Sequence, residues 1–187
     1  MEEKIFNHFQ KMIEATMVTG EAHTEALAGA AEKVASALLA GNTIFTLGEK
    51  SGVLLAQLFS DYLALGYDID RPGFPSINLN QITQNSSDAE RYDQALNTHG
   101  KGGDILILVS AGNSEPLLIN GLNSAVNRGM TIVLLSAAND DLLTSTVSYN
   151  DIHISSADFP APLATQSQLQ VIQCICGLID SHIFGGE

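Results

Sequence analysis

From residue 43 onward the chain alternates short apolar runs with segments of helical periodicity, and this alternation constrains the fold more than any other feature. The runs are TIFTLG (43–48), PSINLN (75–80), DILILVS (104–110), MTIVLLSA (130–137) and DIHISSA (151–157). Between and after them, 50–66, 88–97, 115–128 and 161–184 place apolar residues at helical spacing, and a short turn or helix is expected near 140–145. Strands that are apolar at nearly every position, not only at alternate ones, belong in a parallel sheet covered on both faces. The predicted fold class is therefore α/β. It is a three-layer α/β/α sandwich around a five-stranded parallel sheet of flavodoxin-like order 2-1-3-4-5, with N-terminal helices and a long C-terminal helix.

Two amphipathic segments precede the first strand. Residues 2–18 carry Ile5, Phe6, Phe9, Met12, Ile13 and Met17 on one helical stripe. Residues 22–40 repeat the logic with Leu27, Ala30, Ala31, Val34, Ala35 and Leu38, and Gly41 and Asn42 supply the stop. The last helix is apolar around much of its circumference from Val171 to Phe184. Terminal helices this apolar predict an oligomer cored on 2–18 and 171–184. The 187 residues fit one domain, 1–187, with 1–40 as a helical arm used in oligomerisation.

Composition narrows the function classes. With 45% hydrophobic and 16% charged residues the chain is not disordered. Its net charge of −13 repels phosphate backbones, which argues against direct nucleic-acid binding and leaves a basic protein partner open. Cys174 and Cys176, two apart on a helix, face different ways and should not pair with each other. Two such thiols in an acidic chain point to a reducing cytoplasm. No apolar run approaches about 20 residues, so no membrane span is expected, and the acidic opening MEEKIFNHFQ is unlike a signal peptide.

In a sheet of order 2-1-3-4-5 the ligand crevice lies between strands 1 and 3, at their carboxyl ends. The loops there are GEKSG (48–52) and SAGNS (110–114), each leading into a helix whose free N–H groups and dipole favour an anion. The candidate ligand residues are Gly48, Lys50, Ser51, Ser110, Gly112, Asn113 and Ser114. Neither loop is a P-loop or a GxGxxG fingerprint. The same residues also suit tight strand-to-helix turns with serine caps.

The SAGNS loop, together with RPGFPSI (71–77), RGMTIVLLS (128–136) and the two opening helices, resembles a sugar isomerase (SIS) domain over essentially the whole chain. The branch it resembles holds the phosphoheptose isomerases and the DnaA initiator-associating proteins. The resemblance implies a homotetramer of α/β subunits whose serine-rich loops hold the phosphate of a phosphosugar.

The resemblance also implies where isomerase chemistry would lie. Aldose–ketose isomerisation needs a base and an acid or metal. The family's metal and base positions fall here on Leu58, Tyr62, Thr165 and Gln173, and an arginine position falls on Gly66. These residues predict no catalytic residue and no metal site; zinc enters only with the isomerase reading. In the phosphate loops Gly52 replaces a serine, Val109 and Ala111 replace two more, and Glu49 brings a negative charge towards the anion site. The scattered histidines, with His153 in the last strand, and Asp61 beside Tyr62 form no recognisable catalytic set; Asp88 and Glu90 read as a helix cap.

Two functions follow as expectations. The first is a non-catalytic homotetramer with a vestigial or regulatory phosphosugar site that acts by binding a protein, a DnaA-like initiator by resemblance. CICGLIDSHIF (174–184) looks like that branch's final helix, which makes Ile183 and Phe184 candidate partner contacts. The alternative is a phosphoheptose isomerase that converts sedoheptulose 7-phosphate to D-glycero-D-manno-heptose 7-phosphate.

Overall fold

The computed structural model describes residues 1–112, 115–137, 141–156 and 158–185. Its elements run α1 (Glu2–Ala22), α2 (Thr24–Leu39), β1 (Ile44–Gly48), α3 (Ser51–Leu65), β2 (Ser76–Asn78), α4 (Leu79–Ile82), α5 (Arg91–His99), β3 (Ile105–Ser110), α6 (Pro116–Asn127), β4 (Thr131–Ser136), α7 (Asp141–Thr144), β5 (Ile152–Ser155) and α8 (Ala161–Phe184). The five strands form one parallel sheet in the order β2-β1-β3-β4-β5.

The alternation of side chains along each strand splits the core in two. Ile44, Ile105, Ile107, Val109, Val133, Leu135 and Ile154 face α2, α3 and α8. Phe45, Leu47, Leu106, Leu108, Ile132 and Leu134 face the layer built by α5 and α6. Register places Gly48 beside Val109 and Ser110 beside Ser136, so the carboxyl ends of β1, β3 and β4 finish together.

Two of the boundaries that differ from the sequence reading have a clear local cause. The second strand stops at Asn78 because that side chain turns inward as an N-cap, accepting from the Gln81 N–H at 2.9 Å and opening α4. The helix expected from 88 starts at Arg91 instead, because the Asp88 carboxylate takes the Glu90 N–H at 2.8 Å just ahead of it.

The terminal helices behave differently from each other. α8 was expected to pair between chains, but it is a core helix of its own subunit. Val171, Ile172, Ile175, Cys176 and Ile179 pack against α2, α3 and the sheet. The physical reason is coverage: α2 and α3 leave a strip of the sheet face open, and α8 fills it. α1 packs outside this layer, on α8 and α2. It leaves Ile5, Phe6, Phe9, Ile13 and Met17 each more than half exposed. Cys174 is exposed and Cys176 buried, on different faces of α8 as their spacing requires. Among the described residues no helix is long and apolar enough to cross a membrane.

Candidate functional site

Glycine lets β1 run straight into α3. A Cβ on Gly48 would sit 2.1 Å from the Gly52 carbonyl oxygen, and one on Gly52 would sit 2.3 Å from that of Val109. The first turn of α3 is thereby pressed against the end of β3, the adjacent strand. This accounts for Gly52 where the resemblance implies serine: in this chain a side chain there has no room. Asn80 locks the same corner from the other side. It accepts from the Gly48 N–H at 2.9 Å, and its amide donates to the Gly48 carbonyl and to the Tyr92 hydroxyl, both at 2.9 Å.

Lys50 is the one non-glycine residue with positive φ among the described residues, at φ 51° and ψ −121°. That conformation turns its side chain back across the crevice, where Nζ donates to the Gly112 carbonyl at 3.0 Å. Ser51 opens α3 and lies 3.4 Å, Oγ to Oγ1, from Thr165 at the start of α8. Ser110 ends β3 fully buried. Its hydroxyl accepts from the Gly112 N–H at 3.0 Å and donates to Glu49 Oε1 at 3.3 Å. Gln168 of α8 donates to the Ser110 carbonyl at 2.9 Å and to that of Leu135 at 3.2 Å. Gly48, Lys50, Ser51, Ser110 and Gly112 therefore gather at one place, the end of β1 and β3, as their positions in the sequence predict. Asn113 and Ser114 lie outside the described residues.

Sequence reasoning foresaw the charge of Glu49 but not its position. The side chain is 6% exposed and runs under the second loop, where Oε2 accepts from the Glu115 N–H at 2.9 Å, immediately before α6. Glu49, Lys50, Asn80, Arg91, Tyr92 and Glu115 line a crevice of about 180 Å³ beside these loops. Arg91 and Tyr92 were not singled out in the sequence. Arg91 lies over the Tyr92 ring at 4.8 Å, and only the packing of α5 against the sheet brings the pair here.

The positions implied for isomerase chemistry do not assemble into a metal or base centre. Leu58 is apolar. Tyr62 stands edge-on to Tyr67, with ring centroids 4.8 Å apart. Thr165 bonds back to the Ala161 carbonyl at 3.0 Å. Gln173 sits half-buried on α8. Zinc prefers imidazole, thiolate and carboxylate ligands, and this set offers none. Among the described residues no three His, Cys, Asp or Glu converge elsewhere.

His153 has a structural partner: Nε2 lies 2.8 Å from Ser136 Oγ. Burial, with a smaller contribution from His23, holds its pKa below the usual histidine value. At the far end of the molecule Arg71 is buried. It pairs with Asp180 at 2.6 Å, donates to the Leu63 and Tyr62 carbonyls that end α3, and lies 4.0 Å from the Phe74 ring. Phe74 stacks on Phe184, which is 46% exposed, while Ile183 packs partly into the core. Ile183 and Phe184 thus do not share one open surface, and only Phe184 is substantially accessible.

Comparisons with known proteins agree with this layout. The SIS domain family model matches residues 7–137. A phosphoheptose isomerase of Shewanella piezotolerans is 31% identical over 191 residues, covering 98% of this chain and 97% of that protein. That of Shewanella pealeana is 30% identical with the same coverage. Among solved structures, the phosphoheptose isomerase of Neisseria gonorrhoeae matches with a TM-score of 0.83 at 18% identity, over 96% of this chain and 98% of that one. The one from Francisella tularensis matches at 0.84 and 20%, over 96% and 97%.

Proposed function

The chain belongs to the SIS domain family, on its phosphoheptose isomerase branch, and from that premise we propose that it binds a phosphorylated sugar at the carboxyl ends of β1 and β3. The observation that carries this reading is the joining of the two switch-point loops by Lys50 and Ser110. Lys50 bridges from the first loop to the Gly112 carbonyl, and Ser110 links the second loop to the first through Glu49. The exposed ammonium group of Lys50 then stands at the crevice, with Ser51 beside it at the start of α3 and the Ser110 hydroxyl buried behind Glu49, at the point of the sheet where ligands of this topology bind. Gly48 and Gly112 let backbone approach the ligand, and Asn113 and Ser114 are expected to extend the same loop.

Kinship supports the isomerase activity: relatives of that name match almost the whole chain. In this reading sedoheptulose 7-phosphate is the substrate and D-glycero-D-manno-heptose 7-phosphate the product. Nothing in the comparisons supports an initiator-associating role, which stands on the final-helix resemblance alone. One observation nevertheless favours a non-catalytic, protein-binding second reading. Leu58, Tyr62, Thr165 and Gln173 give zinc no ligands and supply no carboxylate or imidazole base. In that reading a homotetramer presents several copies of a contact patch that includes Phe184, and avidity strengthens each weak contact.

One experiment separates the readings. Purified protein is incubated with sedoheptulose 7-phosphate, with and without added zinc, while binding is followed by calorimetry and product by its aldose chemistry. Binding with turnover above about 0.1 per second, within the range of slow enzymes, establishes the isomerase. Binding without turnover excludes the isomerase activity and leaves the second reading's non-catalytic sugar-phosphate site. Absence of binding overturns the proposed function.

A further inference from the structure

At the α6 end of the cradle the Glu115, Leu118 and Ile119 amides are already taken. Pro116 has no N–H, and the Leu118 and Ile119 N–H groups turn back to the Glu115 carbonyl. The Glu115 N–H donates to the Glu49 carboxylate. At the other loop the Gly52 and Val53 N–H groups turn back to the Glu49 and Lys50 carbonyls. Glu49 therefore brings an acidic side chain, 6% exposed, to the positive end of α6, together with the buried hydroxyl of Ser110. A helix N-terminus with a neighbouring hydroxyl is where a phosphate would otherwise be favoured.

We propose that Glu49 is the specificity-determining residue of this crevice, an internal carboxylate that occupies the anion seat before α6 and must yield it to a ligand's phosphate. The proposal rests on the sugar-phosphate reading above and adds to it a competition. Two anions close together in a partly desolvated site repel strongly, so phosphate and the seated carboxylate exclude each other. A neutral amide of the same shape keeps one oxygen to accept from the Glu115 N–H, turns its NH2 to donate to the Ser110 hydroxyl, and brings no charge.

The test is calorimetric titration of wild type, Glu49→Gln and Glu49→Asn with sedoheptulose 7-phosphate, inorganic phosphate and unphosphorylated sedoheptulose. Glu32→Gln, on α2 and away from the crevice, controls for the change in net charge. The expected result is at least 10-fold tighter binding of both phosphorylated probes by the two Glu49 variants, with sedoheptulose itself and the Glu32 control unchanged. A second readout needs no variant: saturation of wild type with sedoheptulose 7-phosphate should shift the Glu115 amide resonance as its acceptor changes. If wild type binds sedoheptulose 7-phosphate as tightly as the variants do, or if the Glu115 resonance stays fixed at saturation, the proposal falls and the sugar-phosphate reading stands. If no form binds any phosphorylated probe, both fall.

Discussion

Lys50 holds φ at 51° and ψ at −121°, a conformation that a Cβ disfavours. Strain of this kind costs of order 1–3 kcal/mol. It is kept because it aims the ammonium group across the crevice to the Gly112 carbonyl. Lys50→Gly should therefore raise stability by about 1 kcal/mol after glycine's entropy cost is deducted, a gain of roughly 2–4 °C in melting temperature. It should at the same time weaken sugar-phosphate binding several-fold, so thermal melting and calorimetry move in opposite senses. His153 gives a pH signature with a definite sign. Its folded pKa lies below the ordinary value, so the folded state resists protonation that the unfolded chain accepts. Its contribution to stability is complete above about pH 6.5 and is lost as pH falls from there towards the folded pKa. His153→Gln should flatten that part of the stability–pH curve, measured by denaturant unfolding.

At the scale of elements, two contacts hold the ends of α3. At its start, Gly52 brings the helix against β3, and Gly52→Ala drives a Cβ into the Val109 carbonyl at 2.3 Å. Because that neighbour is backbone, the clash cannot be relieved by a rotamer change. A loss of more than about 2 kcal/mol is expected, as for overpacked cores, along with disturbance of the Lys50 turn. At its end, Arg71 caps the Leu63 and Tyr62 carbonyls and pairs with Asp180 of α8. Arg71→Met leaves Asp180 buried and unpaired, with an expected cost of about 3–5 kcal/mol. Adding Asp180→Leu to that variant should restore part of the loss, because the orphaned charge goes with it. Denaturant midpoints of the single and double variants measure both effects.

The whole molecule is a sheet covered on both faces, with one helix that covers nothing in its own chain completely. α1 shows Ile5, Phe6, Phe9, Ile13 and Met17 to solvent, each at 54% or more. Large side chains left in water forgo roughly 1.5–3 kcal/mol apiece, so the expected state in solution is an assembly cored on α1. Light scattering should give a multiple of 19.8 kDa. Phe9→Asp should split the assembly into folded monomers, because the charge is costly only in the interface. Ile179→Asp should instead unfold the subunit, since Ile179 is fully buried in its own chain. The alternation from residue 43, the strand order and the place of the crevice were all legible beforehand because they depend on periodicity and connection rules, which local residues express.

Sequence alone determined the α/β class, the single sheet and the gathering of Gly48, Lys50, Ser51, Ser110 and Gly112. Each follows from where strands end and helices begin. Tertiary structure decided that α8 is core while the α1 stripe is open, because α8 reaches the uncovered strip of sheet and α1 packs outside it. It also decided the meaning of Glu49. One carboxylate in a loop reads as a charge near an anion site. Only the approach of β1 to the start of α6, distant in sequence and joined by the sheet, turns it into the anion that sits there.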